Sequence, residues 1–519
     1  MEQPGIKARR GGGRAARVAA RAAPLDASLR PVWPGIPGGQ YSPLAEADVL
    51  RIHEAALDAL EQIGMAKAPP SGVEILTRAG CVQGADGRIR MPRAVVSEML
   101  SVAAMSVTLH GRDPRFDIEL HGTRVHYGTA GAAVSIVDSA TGDYRDSTTQ
   151  DLYDAARIVQ ALDNVHFFQR PLVCRDASDN FALDFNTIYA SIAGTTKHIG
   201  TSFVEAGNFE GCLKLIHAVA GGEEAFRARP FVGNSNTFVV PPMTFAEESC
   251  QVLELAVAAG MPVLLLSAGQ AGATAPAPLA TAVVQAVAEV LAGVVYVNAI
   301  QPGHPAIFGT WPFVSDLRTG AMSGGSGEQA LLTAACAQMH RFYGLPGGAA
   351  AGMTDSKLPD MQAGWEQAIS NVMAGLSGLN MVYESVGMHA SLLGFCLESL
   401  VLGNDMLGQV QRCVRGIEVT EENTSIEVMK AVCLDGPGHY LGSEQTLRIM
   451  QSEYVYPEIA NRSSPKEWVE KGRPLLLDQA RARVRDILAR DGHQIAPDLQ
   501  RRLDAEFNLV PLRRVHGGH

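Results

Sequence analysis

The chain lacks any cysteine pair at metal-ligand or redox spacing. Its eight cysteines, Cys81, Cys174, Cys212, Cys250, Cys336, Cys396, Cys413 and Cys433, are scattered over 519 residues. There is no C-x-x-C, and the histidines His166, His198, His304, His340 and His389 show no ligand spacing. Zinc modules are thereby excluded, no metal site is expected, and the cysteines read as buried thiols in a reducing compartment. Excess positive charge is missing too. A formal net charge of -11 excludes general nucleic-acid binding and gives no support for docking on an anionic membrane. No apolar run reads as long enough to cross a bilayer. The basic N-terminus (Lys7, Arg9, Arg10, Arg14, Arg17, Arg21) has no apolar segment of the secretory kind, so a basic tail and a cytoplasmic location are expected. Three enzyme fingerprints are also absent. No G-x-G-x-x-G opens a first helix, no G-x-S-x-G occurs, and Ser323-Gly324-Gly325-Ser326-Gly327-Glu328 lacks the Lys-Ser/Thr of a P-loop. As a helix entry with a serine cap, that stretch needs no ligand.

What is present is a large core. Hydrophobic residues make up 46% of the chain and charged residues 19%, the balance of a globular protein. Residues 1–40 read as tail and linker. Residues 41–124 read as a cap, with helices over 44–65, 70–79 and 92–103 and short strands over 106–111 and 116–121. From residue 125 a rhythm begins. Short apolar runs at 125–129, 166–173, 198–203, 231–237, 262–267, 306–311, 347–353 and 380–387 alternate with helical patterns. Those patterns cover 149–162, 180–192, 208–220, 245–259, 278–291, 327–342, 362–377 and 393–414. Eight β/α units are the count that closes a TIM (β/α)8 barrel, here over residues 125–416. Residues 417–519 read as a C-terminal helical appendage, packed on the barrel or on a sister subunit. A homo-oligomer is expected.

In such a barrel the C-terminal ends of the strands carry the site. The stretch 347–360 illustrates this. Small residues Gly347 to Gly352 lead into Asp355, Ser356 and Lys357 and then into a helix after Pro359. The commoner meaning of that cluster is a helix cap beside a solvated lysine. The other strand ends offer Arg170, Glu205, Glu384 and His304 as isolated polar groups. They also offer Phe238, Phe308, Trp311, Tyr383 and Tyr127 as rings. Aromatics are only 6% of the chain, so several at one mouth carry information. Ring faces are negative and bind a quaternary ammonium. Any single ring is more commonly barrel filling.

Several motifs resemble the trimethylamine methyltransferase family. They are Gly324-Gly325-Ser326-Gly327-Glu328-Gln329-Ala330, Tyr343-Gly344-Leu345-Pro346, Thr354-Asp355-Ser356-Lys357 with Pro359-Asp360, Gln362-Ala363-Gly364, Arg415-Gly416-Ile417, Gly438-His439-Tyr440-Leu441, Glu453-Tyr454-Val455-Tyr456-Pro457 and Trp468. The resemblance spans nearly the whole chain. It implies a TIM-barrel methyltransferase that moves a methyl group from a methylated amine to the cobalt of a separate corrinoid protein docked over the mouth. The enzyme itself then binds no cofactor, and cob(I)alamin is carried by the partner. Archaeal members carry pyrrolysine near the mouth, in the region matching residues 354–359. This sequence has only standard residues there. Members without pyrrolysine resemble demethylases of quaternary amines such as glycine betaine.

The expected roles follow. Trp311, Phe308 and Tyr383 form cage walls, with Phe238 and His304 among the lining residues. Glu384 or Glu205 supplies the countercharge, and Arg170 or Lys357 holds a substrate carboxylate. Asp355, Lys357 and Glu384 are the candidates for the chemical work. The alternatives are a Schiff-base barrel using Lys357 and a non-catalytic betaine-binding or scaffold protein.

Overall fold

The computed structural model describes residues 30–434 and 436–514. The basic tail lies outside the described residues. Eight strands run in parallel: β1 (Arg124–Tyr127), β2 (Phe168–Gln169), β3 (Ile199–Thr201), β4 (Val232–Asn234), β5 (Val263–Ser267), β6 (Ala306–Thr310), β7 (Gly348–Ala350) and β8 (Met381–Tyr383). β2 to β6 pair in sequence order, and β7 pairs with β8, which pairs with β1. Two parallel bridges, Gly128 to Phe167 and Phe308 to Gly347, join these halves into a closed ring. The strands are short and almost wholly buried, as parallel strands covered on both faces must be.

Each strand is followed by a helix: α1 (Thr149–Gln160), α2 (Asn180–Gly194), α3 (Phe209–Ala220), α4 (Glu247–Ala258), α5 (Leu279–Ile300), α6 (Gly327–Tyr343), α7 (Met361–Leu376) and α8 (Glu398–Arg415). Local chemistry sets several starts. Thr148 and Asp151 form a reciprocal capping box on α1. Ser326 caps α6 through the N–H of Gln329, and Asp360 caps α7 through that of Ala363.

α5 corrects the reading of the apolar runs. It has 22 residues and is long and apolar enough to cross a membrane. It is nonetheless a core helix. The helices Glu46–Asp58, Pro70–Arg78 and Arg93–Val102 pack over its outer side, which is why it has no polar face.

Residues 34–416 and 457–514 form one compact unit, so the chain beyond α8 is divided. Helix Leu476–Leu488 packs on α8 and α1, and Pro497–Glu506 packs on α3. Buried Asp405 on α8 accepts the N–H groups of Glu458, Ile459 and Ala460. Residues 417–434 and 436–456 belong to a second unit with residues 30–33. It contains helices Glu427–Cys433 and Glu444–Glu453. All eight cysteines are unpaired and six are buried, while Cys413 and Cys433 are exposed.

Candidate functional site

The loops leaving β1 and β8 build a small sheet of their own at the C-terminal end of the barrel. Ser135–Val137 pairs with Tyr144–Asp146 and with Gly394–Phe395, which pairs with Met388–His389. The loops after β5 and β6 pair through Gln270–Ala271 and Phe313–Val314. Trp311 follows β6 directly, and Tyr383 ends β8. Their rings meet with centroids 5.1 Å apart, tilted by 42°. Phe167, beside β2, stands edge-on to Tyr383 at 5.2 Å. The small-residue run of β7 makes the room. A Cβ on Gly348 would sit 2.7 Å from the Tyr383 ring. Trp311 is 6% exposed and Tyr383 3%.

Glu384 follows Tyr383 at the end of β8. It is 1% exposed, its backbone is held at φ 58°, and its Oε2 has no hydrogen-bond partner. Burial without a compensating charge pushes its carboxyl up to about 8. Gly131, at φ 114°, lets the chain pass: a Cβ there would meet Met388 at 2.9 Å and Glu384 Oε1 at 3.4 Å. The indole N–H of Trp311 is likewise buried and unpartnered. Buried polar atoms are normally satisfied, and strained backbone of this kind gathers at ligand sites. A cation lodged against the rings meets the negative faces of Trp311 and Tyr383, and a cation close to Glu384 favours its ionised form. A neutral ligand does neither.

Asp355 has a different place. Its Oδ2 accepts from Ser323 Oγ at 2.7 Å, and its Oδ1 accepts from the Gly324 N–H at 2.6 Å and from Ser391 Oγ at 2.8 Å. One carboxylate therefore ties the loops after β6, β7 and β8 together, and it fills the glycine-rich N–H cradle that an anion would otherwise enter. Glu366 of α7 supports the loop from behind by accepting from Thr354 Oγ1 and the Asp355 N–H. Asp355→Ala is expected to free these loops. Hydrogen exchange over residues 322–324 and 390–394 should rise at least tenfold, and unchanged exchange there would contradict the role.

The remaining candidates are dispersed. Phe308 packs on Tyr343 of α6 at 5.5 Å. Phe238 lies against Phe245 and would touch a Cβ on Gly293 of α5. Both therefore fill the layer between barrel and helices. The Tyr127 hydroxyl points to the Asn371 carbonyl on α7. His304 sits before β6, at the opposite end of the barrel, with Nε2 2.9 Å from the Met261 carbonyl. Glu205 is exposed and accepts from Asn180. Arg170, at the end of β2, donates through Nε and Nη2 to Ser202 Oγ, and burial lowers its pKa. It makes no direct ion pair among the described residues, and the nearby charge of Asp184 partly offsets the effect of burial. Lys357 is exposed, with Nζ 2.6 Å from the Asp355 carbonyl. No group of His, Cys, Asp or Glu among the described residues is arranged to hold a metal. Sequence reasoning missed Phe167 and Gly131. Phe167 was legible as one residue of the β2 run. Gly131 carried no signal apart from being a glycine just beyond a strand.

The fold defines a closed β/α barrel with the rings of Trp311 and Tyr383 in contact at the C-terminal ends of its strands. Comparison with known proteins then gives the family. The family model described as trimethylamine methyltransferase matches residues 10–514. The trimethylamine methyltransferase MttB of Desulfitobacterium hafniense (strain DSM 10664 / DCB-2) is 29% identical over 429 residues, 82% of this chain and 85% of the relative. The glycine betaine methyltransferase of Desulfitobacterium hafniense (strain Y51) is 29% identical over 478 residues, 92% of this chain and 97% of the relative. Among solved structures, the hydroxylamine complex of MtmB aligns with a TM-score of 0.49 at 12% identity, over 89% of this chain and 90% of that one. This chain belongs to the trimethylamine methyltransferase family, as its motifs indicated.

Proposed function

We infer that this protein is a methyltransferase that removes a methyl group from a quaternary amine of the betaine class and passes it to a corrinoid protein. The observation that carries the reading is the touching pair of rings Trp311 and Tyr383 at the strand ends, with Glu384, the residue after Tyr383, buried and its Oε2 unpartnered. The family supports the reaction type, and the relatives' names include both trimethylamine and glycine betaine as substrates. A quaternary ammonium already carries a good leaving group, its neutral tertiary amine. The departing amine needs no proton, so the site needs no acid.

The partner's corrinoid would supply a nucleophilic cobalt as the methyl acceptor. This chain's own work is to hold the cation, aim one methyl outward and exclude water. Trp311 and Tyr383 hold the ammonium by their faces, with Glu384 as countercharge. Arg170, at the end of β2, takes the carboxylate of a betaine. Exposed apolar side chains on the loops around the mouth, Tyr144, Val204, Val240, Leu317 and Leu393, suit a partner that docks there. The unpaired thiols are consistent with a reducing cytoplasm.

The test is a demethylation assay with a corrinoid acceptor and a panel of betaines and simple quaternary amines. Turnover of at least one quaternary amine is expected, and no binding and no turnover across the panel would sink the assignment. The Schiff-base alternative makes a contrary prediction. Lys357 is exposed and lacks the desolvation that such a lysine relies on. Lys357→Ala is therefore expected to keep activity within about threefold, and borohydride should trap no adduct. Loss of all activity in that variant, with a trapped adduct in the native enzyme, would favour the rival.

A further inference from the structure

A (β/α)8 barrel usually fills its interior with branched apolar side chains. This one encloses a cavity of about 20 Å³. Gly200, Gly233, Leu264, Ile307 and Tyr383 all line it, and walls drawn from β3, β4, β5, β6 and β8 at once meet only inside the ring of strands. Glycines make the room, and polar side chains reach into it. A Cβ on Gly200 would collide with Gln169 Oε1, and one on Gly233 would stand 3.1 Å from His198 Nε2. Both atoms are fixed as acceptors. His198 Nδ1 lies 3.0 Å from the His110 carbonyl, so Nδ1 carries the ring proton. Burial lowers the pKa of the ring to about 4, which leaves His198 neutral and its Nε2 a bare lone pair. Ser235 Oγ gives its proton to the Thr201 carbonyl at 2.8 Å. It can only accept from Gln169, so the amide NH2 is held on Ser235 and Oε1 is the free end.

We propose that the barrel interior holds one water molecule, which donates one proton to His198 Nε2 and the other to Gln169 Oε1. The need is there. His198 is 4% exposed and Gln169 8%, and two acceptors cannot satisfy one another, while buried polar atoms are normally satisfied. The span fits. Gly200 and Gly233 are partners across the β3–β4 ladder, and neighbouring strands lie ~4.8 Å apart, a gap that two hydrogen bonds of ~2.8 Å close through one shared oxygen. The volume fits as well, since a single water needs ~10–15 Å³ of such space. An ammonium ion also donates more than once, but no carboxylate lines the cavity among the described residues, and a buried charge without a counter-charge is costly. Tyr383 lines the same cavity, and its hydroxyl has no hydrogen-bond partner among the described residues. It supplies the donor that the water oxygen accepts. The water thereby holds from below the ring that touches Trp311.

A crystal structure of the full chain at atomic resolution tests this. The expected result is one spherical density peak within hydrogen-bond distance of both His198 Nε2 and Gln169 Oε1. An empty cavity, or a peak in reach of only one or neither atom, would overturn the proposal. Gly233→Ala puts a methyl group into the cavity. Magnetic relaxation dispersion of the water oxygen-17 signal should then count one long-lived internal water fewer than in the native chain. His198→Leu serves the same purpose if the alanine variant does not fold. An unchanged count in a folded variant would overturn the proposal as well.

Discussion

Glu384→Gln is expected to weaken binding of a quaternary amine by about a hundredfold, close to the ~3 kcal/mol lost when one member of a desolvated charge pair is removed. The same change is expected to stabilise the free protein. Burial raises this carboxyl from 4.5 to about 8 in the folded state. Below pH 4.5 both folded and unfolded chains hold the proton, and no difference arises. Between pH 4.5 and about 8 the unfolded chain gives up the proton while the folded chain keeps it, so stability falls as pH rises. Above about 8 both are ionised and the loss is complete. A glutamine side chain does not titrate, so the substitution abolishes this decline. The variant's gain in Tm should be negligible near pH 4.5, grow through neutrality and level off above about pH 8 at a few degrees.

Ligand binding should show the converse dependence. A cation favours the ionised carboxylate, so affinity climbs as pH rises toward about 8 and then flattens, with a proton released on binding below that point. Titration calorimetry in two buffers of different ionisation heat reads both quantities. An affinity flat from about pH 6 to about pH 9, or a glutamine variant that binds normally, would remove Glu384 from the site.

Trp311→Leu comes second in expected size. Losing the better of the two ring faces should weaken a betaine by about thirtyfold, the ~2 kcal/mol of a desolvated cation–π contact. The discriminating ligand is the neutral carbon isostere, in which a tert-butyl group replaces the trimethylammonium. It has the same shape and no charge, so its weak binding should change less than about threefold. Equal losses for both ligands would mean that Trp311 only fills space. Phe238→Leu is the control. Its ring packs against α5, away from the mouth, so it should lower Tm and leave the betaine affinity alone.

These experiments turn on a division between what residues announce and what packing chooses. The motif around Thr354 to Asp360 was readable in the chain, yet its members separated on folding. Asp360 became a helix cap, Asp355 a tie between three loops, and Lys357 a solvated side chain. Phe308 and Trp311 lie three residues apart, and only Trp311 reached the mouth. Glu205 and Glu384 were equal candidates by type. Burial and a left-handed backbone distinguished Glu384.

By itself the sequence determined the eight alternating units, their order and most of their limits, because hydrophobic period and helix caps are local properties. It also determined the family, because an ordered set of motifs survives without coordinates. Which way each ring faces was decided only by the tertiary structure. Parallel strands of a barrel are apolar on both faces, so alternation tells which side chains share a side but not which side is the cavity. Closing the ring made that choice, bringing the rings of Trp311 and Tyr383 together and burying the carboxyl of Glu384.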